Sequence, residues 1–169
     1  ALPTIALIAV DTHQSWLGLP SRVSDPLAGQ SALQHTGQRA ARGSQVKQLV
    51  LVHPADQTPL DHLYTNSIDK PIDTFAVEDG LVDARTPYLR AARKWALTAW
   101  RGGLGESPVF DELLPPGPLH EAMAAFDAES AMVVRGEWCL FDPAIAEQQL
   151  ATHLDAPEAM SITFSQAPP

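Results

Sequence analysis

Apolar and polar residues fall in blocks along this chain, and the blocks predict its elements. The first is Ile5-Ala6-Leu7-Ile8-Ala9-Val10, closed by the polar trio Asp11-Thr12-His13. An unbroken apolar run of this length suits a strand buried on both faces and is far too short for a membrane span. Turn formers follow, among them Gly18, Pro20, Ser21, Ser24, Asp25 and Pro26. Residues 27–36 lead into Gln38-Arg39-Ala40-Ala41-Arg42, which is predicted as helix, and Leu49-Val50-Leu51-Val52 is predicted as the next strand. Strand, loop, helix, strand opens a parallel α/β domain, and the loop leaving the first strand is where such domains bind ligands.

Farther on, residues 53–59 are predicted as a loop and residues 60–64 as a short helical turn. Residues 70–77 are predicted as a third strand, with Pro71 near its start, where a missing amide is tolerated. Leu89, Ala92, Trp95-Ala96 and Ala99-Trp100 recur at helical spacing after Pro87, until Gly102-Gly103. Residues 104–118 are predicted as loop, 119–126 as helix, 131–134 as strand and 136–141 as loop. Asp142 stands at an N-cap position and Pro143 at the first helical position of a segment reaching His153. A last strand is predicted at Ser161-Ile162-Thr163-Phe164. This order predicts a three-layer α/β/α fold with a mostly parallel sheet, as one domain over residues 1–169.

Composition narrows the functions open to such a domain. The net charge of −9, with 11 basic residues spread along the chain, argues against a nucleic-acid surface, which needs clustered Lys and Arg. Arg85, Arg90, Arg93 and Lys94 are the densest basic group. A small anionic ligand stays compatible with this charge, because a local pocket can be positive on an acidic protein. A single cysteine, Cys139, precludes an intramolecular disulfide and suits a reducing cytoplasm, the expected location. No membrane segment is expected. The six histidines form no His-x-x-x-His pair, so zinc has no support. Gly-x-Ser-x-Gly, the Walker lysine loop and Gly-x-Gly-x-x-Gly are all missing, which removes the hydrolase, P-loop and dinucleotide classes.

Two stretches carry a family resemblance. Asp25-Pro26-Leu27-Ala28-Gly29-Gln30-Ser31-Ala32-Leu33-Gln34-His35-Thr36, followed by Arg39-Ala40, resembles the K-P-L-x-G-x-P-L-L-x-H-x and R-A segment of sugar nucleotidyltransferases. The nearest flavour is that of cytidylyltransferases activating acidic sugars such as KDO, together with spore-coat polysaccharide synthesis proteins. Val133-Val134-Arg135-Gly136-Glu137-Trp138-Cys139-Leu140-Phe141-Asp142-Pro143 resembles the same family's v-R-x-x-G-D-x-P-L-x-D-P stretch. The resemblance implies a nucleotide-diphospho-sugar transferase-like (glycosyltransferase A-type) fold. It also implies a loop after the first strand that wraps a nucleotide, and a Mg²⁺ ion held by an acidic residue at the position of Glu137. Members of the family usually continue well beyond the corresponding point, so a fragment or one domain of a longer protein is expected.

The candidate nucleotide-binding residues are Ala9, Asp11, Ser15, Ser21 and Arg22, with Arg22 and Asp25 as the candidate catalytic pair and Glu137 as the metal ligand. A guanidinium grips phosphate oxygens in bidentate fashion, which makes Arg22 the phosphate candidate; a solvated loop arginine is the alternative. The serines can donate to a nucleotide or satisfy turns, and Asp11 can meet ligand or cap the loop. Trp138 is read as core packing or as a stacking platform. Asp25 departs from the family pattern, standing where a phosphate-contacting lysine is expected.

Three functions therefore stay open. One is nucleotidyl transfer from a nucleoside triphosphate, CTP favoured through the resemblance, to a sugar or sugar phosphate with release of pyrophosphate. The second is the same fold kept as a binding or interaction domain, since Asp25 would repel a triphosphate. The third is a glycosyltransferase using a ready-made sugar nucleotide, which would want an Asp-x-Asp triplet that this chain lacks.

Overall fold

In chain order the described elements are β1 (Thr4–Ala9), β2 (Pro26–Leu27), β3 (Gln30–Ser31), α1 (Ala32–Ala41) and β4 (Val46–Pro54). Two 3₁₀ turns, Pro59–His62 and Thr65–Ser67, precede β5 (Ile72–Val77). Helix α2 (Pro116–Ala125), strand β6 (Ser130–Arg135) and helix α3 (Pro143–Asp155) complete the set. The computed structural model describes residues 2–15, 20–78, 81 and 116–156.

Four strands form one sheet in the order β5-β4-β1-β6, all parallel. The chain steps outward from β1 to β4 and β5, then returns to the other side of β1 to lay down β6. That reversal makes a topological switch point between β1 and β6, and ligands of open α/β sheets bind outside the carboxyl ends of the strands there.

Every residue of β1 is buried, which explains its unbroken apolar run. The strand period of two sorts the core into two faces. On one face Ala6, Ile8 and Val10 pack with Leu49 and Leu51 of β4, Leu33 and Ala40 of α1, and Leu150 of α3. On the other, Ile5, Leu7 and Ala9 pack with Val50 and Val52 of β4 and with Leu119 and Ala122 of α2. Helices thus cover both faces of the parallel sheet, giving the expected three layers. Full burial of side chains such as Leu7, Ile8 and Leu51 stabilises the fold by about 1.5–3 kcal/mol each.

The helix expected at residues 38–42 already begins at Ala32, within the stretch expected to lead into it. Ala28 and Gly29 have φ of 49° and 85°, which turns the chain back on itself and pairs β2 with β3 as a hairpin. Both central residues sit at positive φ, the requirement of a tight two-residue hairpin turn. Ser31 then caps the helix, its Oγ accepting from the Gln34 amide at 3.0 Å.

The second correction concerns residues 116–118, expected as loop: α2 starts at Pro116. Pro116 and Pro118 lie in the first turn, where amides have no intrahelical acceptor to lose. The Asp142 cap stands as expected, its Oδ1 accepting from the Ala144 amide at 2.8 Å, with Pro143 first in α3. The helix expected after Pro87, with Trp95 and Trp100, lies outside the described residues, as do the basic group at 85–94 and the strand at 161–164.

Candidate functional site

Beyond the carboxyl end of β1, the described residues 10–15 and 20–25 form a tightly hydrogen-bonded neck. Asp11 Oδ1 accepts from the amides of His13 and Gln14, each at 2.9 Å, the local turn an aspartate makes with its own downstream backbone. The same oxygen accepts from Gln57 Nε2 at 2.9 Å. Gln57 Oε1 in turn accepts from the Thr12 amide at 2.6 Å and the Thr12 hydroxyl at 2.9 Å. Ser21 closes the neck: its hydroxyl donates to the Asp11 carbonyl at 2.6 Å and its amide to the His13 carbonyl at 3.1 Å. Ser15 Oγ is buried with no hydrogen-bond partner among the described residues.

The facing wall is the loop after β6. The Gly136 amide donates to the Ala9 carbonyl at 2.8 Å, extending the β1–β6 pairing by one bond. The Gly136 carbonyl accepts from the Thr36 hydroxyl of α1, also at 2.8 Å. A Cβ on Gly136 would meet Val23 Cγ1 at 3.2 Å and both Leu33 Cδ1 and Val10 Cγ2 at 3.3 Å. Only a hydrogen fits without displacing these side chains, so the two loops and α1 converge on this one glycine. Glu137 comes next, its Oε1 3.9 Å from Nε of the buried Arg135. Trp138 is partly buried against the core, the packing reading of that residue.

Arg22 and Asp25 stand at the far end of the first loop. Nη1 of Arg22 lies 3.0 Å from Oδ2 of Asp25, and the two side chains are 82% and 48% exposed. An ion pair this exposed holds weakly and can exchange partners. The backbone beneath is fixed: the Asp25 carbonyl accepts from the Ala32 amide at 3.0 Å, and that of Val23 from Leu33 at 2.9 Å. Position 25 is thus anchored at the base of the hairpin, against the amino end of α1.

The structure brings Ala9, Asp11 and Ser21 together at the neck of the first loop, and Ala9 and Glu137 to the two sides of the switch point. Ala9 takes part through its backbone, since its side chain belongs to the core. Among the described residues no group of three or more His, Cys, Asp or Glu side chains converges on one point. Glu137 could serve as a single carboxylate for Mg²⁺ bound mainly by phosphate oxygens and water, a mode typical of that ion. A metal centre made by the protein alone does not fit the described donors. Asp111 and Glu112, loop acids that the sequence alone leaves open as site residues, lie outside the described residues.

Two residues at this site escaped sequence reasoning. Gln57 lies just past the carboxyl end of β4, on the ligand-binding edge of the sheet, and that position was its signal. Thr36 is a polar residue on the buried stripe of α1, between Leu33 and Ala40, which asks for a partner across the interface.

The sheet order and the covering helices define a three-layer α/β fold with a parallel sheet, and the comparison with solved structures agrees with the fold class expected from the sequence. The chain is similar to a structure of CMP:2-keto-3-deoxy-manno-octonic acid synthetase complexed with CTP, with a TM-score of 0.57 at 14% identity. The match covers 91% of this chain and 48% of the synthetase chain, so the chain spans about half the length of that protein. At this identity the likeness establishes the fold. No protein-family model matches the chain, and no curated protein matches it in sequence. Among the described residues, no helix is long and apolar enough to cross a membrane.

Proposed function

We propose that this chain binds a nucleoside triphosphate, CTP first among candidates, at the switch point between β1 and β6 and catalyses nucleotidyl transfer to a sugar or sugar phosphate. The observation that carries the reading is the convergence of the β1 and β6 loops on Gly136, at the edge where α/β sheets take ligands. The fold shared with a CTP-bound synthetase supports the choice of nucleotide.

In this reading an oxygen of the acceptor sugar attacks the α-phosphorus. The bond from that phosphorus to the bridging oxygen breaks, pyrophosphate leaves, and an attacking hydroxyl releases its proton to solvent. Little covalent work falls to the protein, whose contribution is alignment and charge neutralisation. Arg22 exchanges Asp25 for phosphate oxygens, which a guanidinium can grip at two points. Ser15 offers a hydroxyl unused by the described residues, while Ser21 and Asp11 hold the loop in shape. Mg²⁺ arriving with the triphosphate would offset its charge, with Glu137 as its protein ligand.

A specific observation favours a second reading. Asp25 puts a carboxylate where the resembling enzymes have lysine, and this suits a domain that binds a ligand without transferring anything. Calorimetric titration of CTP, UTP, GTP and ATP, with and without Mg²⁺, followed by a pyrophosphate-release assay with acidic sugars, separates the two. Saturable CTP binding with turnover supports the enzyme, and binding without turnover supports the second reading. Absence of binding by all four in a folded sample would remove the enzyme and leave the fold as an interaction domain.

A further inference from the structure

We infer that Gln57 is a positioning residue that locks the loop after β1 in its ligand-ready form, an inference that rests on the nucleotide reading above. Gln57 is 7% exposed although it lies in a loop, and its carboxamide faces a single target. Its oxygen accepts twice from Thr12, by amide and hydroxyl, at 2.6 and 2.9 Å. Its nitrogen donates to Asp11 Oδ1 at 2.9 Å and lies 3.5 Å from His13 Nδ1. A carboxamide offers two donors and one oxygen with two lone pairs, so both lone pairs and one donor of this group are used on Asp11 and Thr12 of another loop.

The consequence is a relay across the carboxyl edge of the sheet. With Gln57 in place, Asp11 Oδ1 holds three donors, two of them the loop's own amides. That fixes the direction in which residues 11–14 leave β1, and so the placement of the loop carrying Ser15, Ser21 and Arg22. A buried carboxamide bonded on both its atoms favours one conformation, whereas its removal leaves the partly buried groups of Asp11 and Thr12 without these partners. The position also has a steric demand. Glutamate keeps the size and the acceptor toward Thr12, but replaces the donor toward Asp11 with a second negative charge.

If the lock pre-organises the loop, breaking it lowers the fraction of molecules competent to bind, and apparent affinity falls by that fraction. Gln57→Leu and Gln57→Glu are each expected to raise the KM and Kd for CTP about tenfold or more, with kcat within about twofold. A residue needed only for folding would instead reduce the active fraction, lowering apparent kcat and leaving KM unchanged. Amide hydrogen exchange at Thr12, His13 and Gln14, measured against Val50 and Leu51 of β4 as internal reference, reads the lock directly. Faster exchange at 12–14 with unchanged exchange in β4 supports the inference for either variant. Unchanged protection at 12–14, or loss of kcat with KM unmoved, overturns it. Should the wild-type chain fail to bind CTP, the nucleotide reading falls and the ligand-ready claim with it. The exchange data would then still show whether the lock exists as a structural device.

Discussion

Asp25 and Arg22 neutralise one another, with 3.0 Å between Oδ2 and Nη1, at the base of the hairpin that leads into α1. The carboxylate at position 25 therefore does not stand as an isolated negative charge. In the nucleotide reading proposed above, a triphosphate would compete with it for Arg22, and the exposure of both side chains would keep that competition inexpensive.

The substitution Asp25→Lys follows from this pair. It removes the competitor and adds a positive charge at a backbone position already anchored to α1. A change of two charges beside a polyanion at a solvent-exposed site is worth about 1.4 kcal/mol, or roughly tenfold in affinity. CTP binding measured by calorimetry at low salt should tighten by about that factor, and less at high salt. Folding stability should stay within about 0.5 kcal/mol of wild type, since exposed pairs contribute little. Unchanged or weaker binding would mean that position 25 does not face the nucleotide.

Gly136→Ala tests the junction of the two loops. The added methyl meets three branched side chains at 3.2–3.3 Å, from Val23, Leu33 and Val10. All three are fully buried, so they have little room to yield. Overpacking of this sort costs about 1–3 kcal/mol, which a denaturant titration would register as a lower midpoint at an unchanged slope. Wild-type stability in this variant would show that the junction is looser than its contacts imply.

Thr36→Val probes the same junction from the helix side. Valine matches the shape of threonine and deletes the hydroxyl that donates to the Gly136 carbonyl at 2.8 Å. Thr36 is wholly buried, so water cannot replace the lost donor cheaply. The expected loss is about 1–2 kcal/mol of unfolding free energy. A neutral substitution would point to a second donor for that carbonyl.

Much of this arrangement was legible in the sequence, for reasons that differ by element. β1 and β4 declared themselves because strands buried on both faces need unbroken apolar runs, and α3 because Asp142-Pro143 is a start signal built from local chemistry. The β2–β3 hairpin was not legible, because its turn places an alanine, Ala28, at positive φ, where asparagine or glycine is the usual marker. The roles of Gln57 and Thr36 depend on contacts 45 and 100 residues away in sequence, to Thr12 and Gly136. No local pattern encodes such pairings. Asp11 and Ser21 were singled out by their place after β1, and the structure gives both of them loop-closing bonds that a position alone cannot reveal.

The same hairpin yields a stability prediction. Ala28 occupies the left-handed region at φ 49°, which costs an L-residue with a Cβ roughly 1–2 kcal/mol. Ala28→Asn would create Asn-Gly, the sequence favoured for this turn, with no packing to disturb because residue 28 is exposed. Thermal unfolding should show stabilisation of about 0.5–1 kcal/mol. A destabilised variant would contradict the assigned turn.

Glu137→Gln addresses the metal. The substitution preserves size and leaves an acceptor oxygen facing Arg135, while removing the charge that a divalent cation requires. Without Mg²⁺, CTP affinity should hold or rise slightly, since a negative group near the phosphates has been deleted. With Mg²⁺, the wild-type chain should gain affinity and the variant should gain at least severalfold less. The informative quantity is thus the ratio of the two affinities within each protein, which cancels any uniform effect of the substitution on the fold. Equal ratios in the two proteins would remove Glu137 as a metal ligand. Its carboxylate would then be assigned to the long ion pair with Arg135, where a buried guanidinium at the end of β6 meets a partly exposed acid 3.9 Å away.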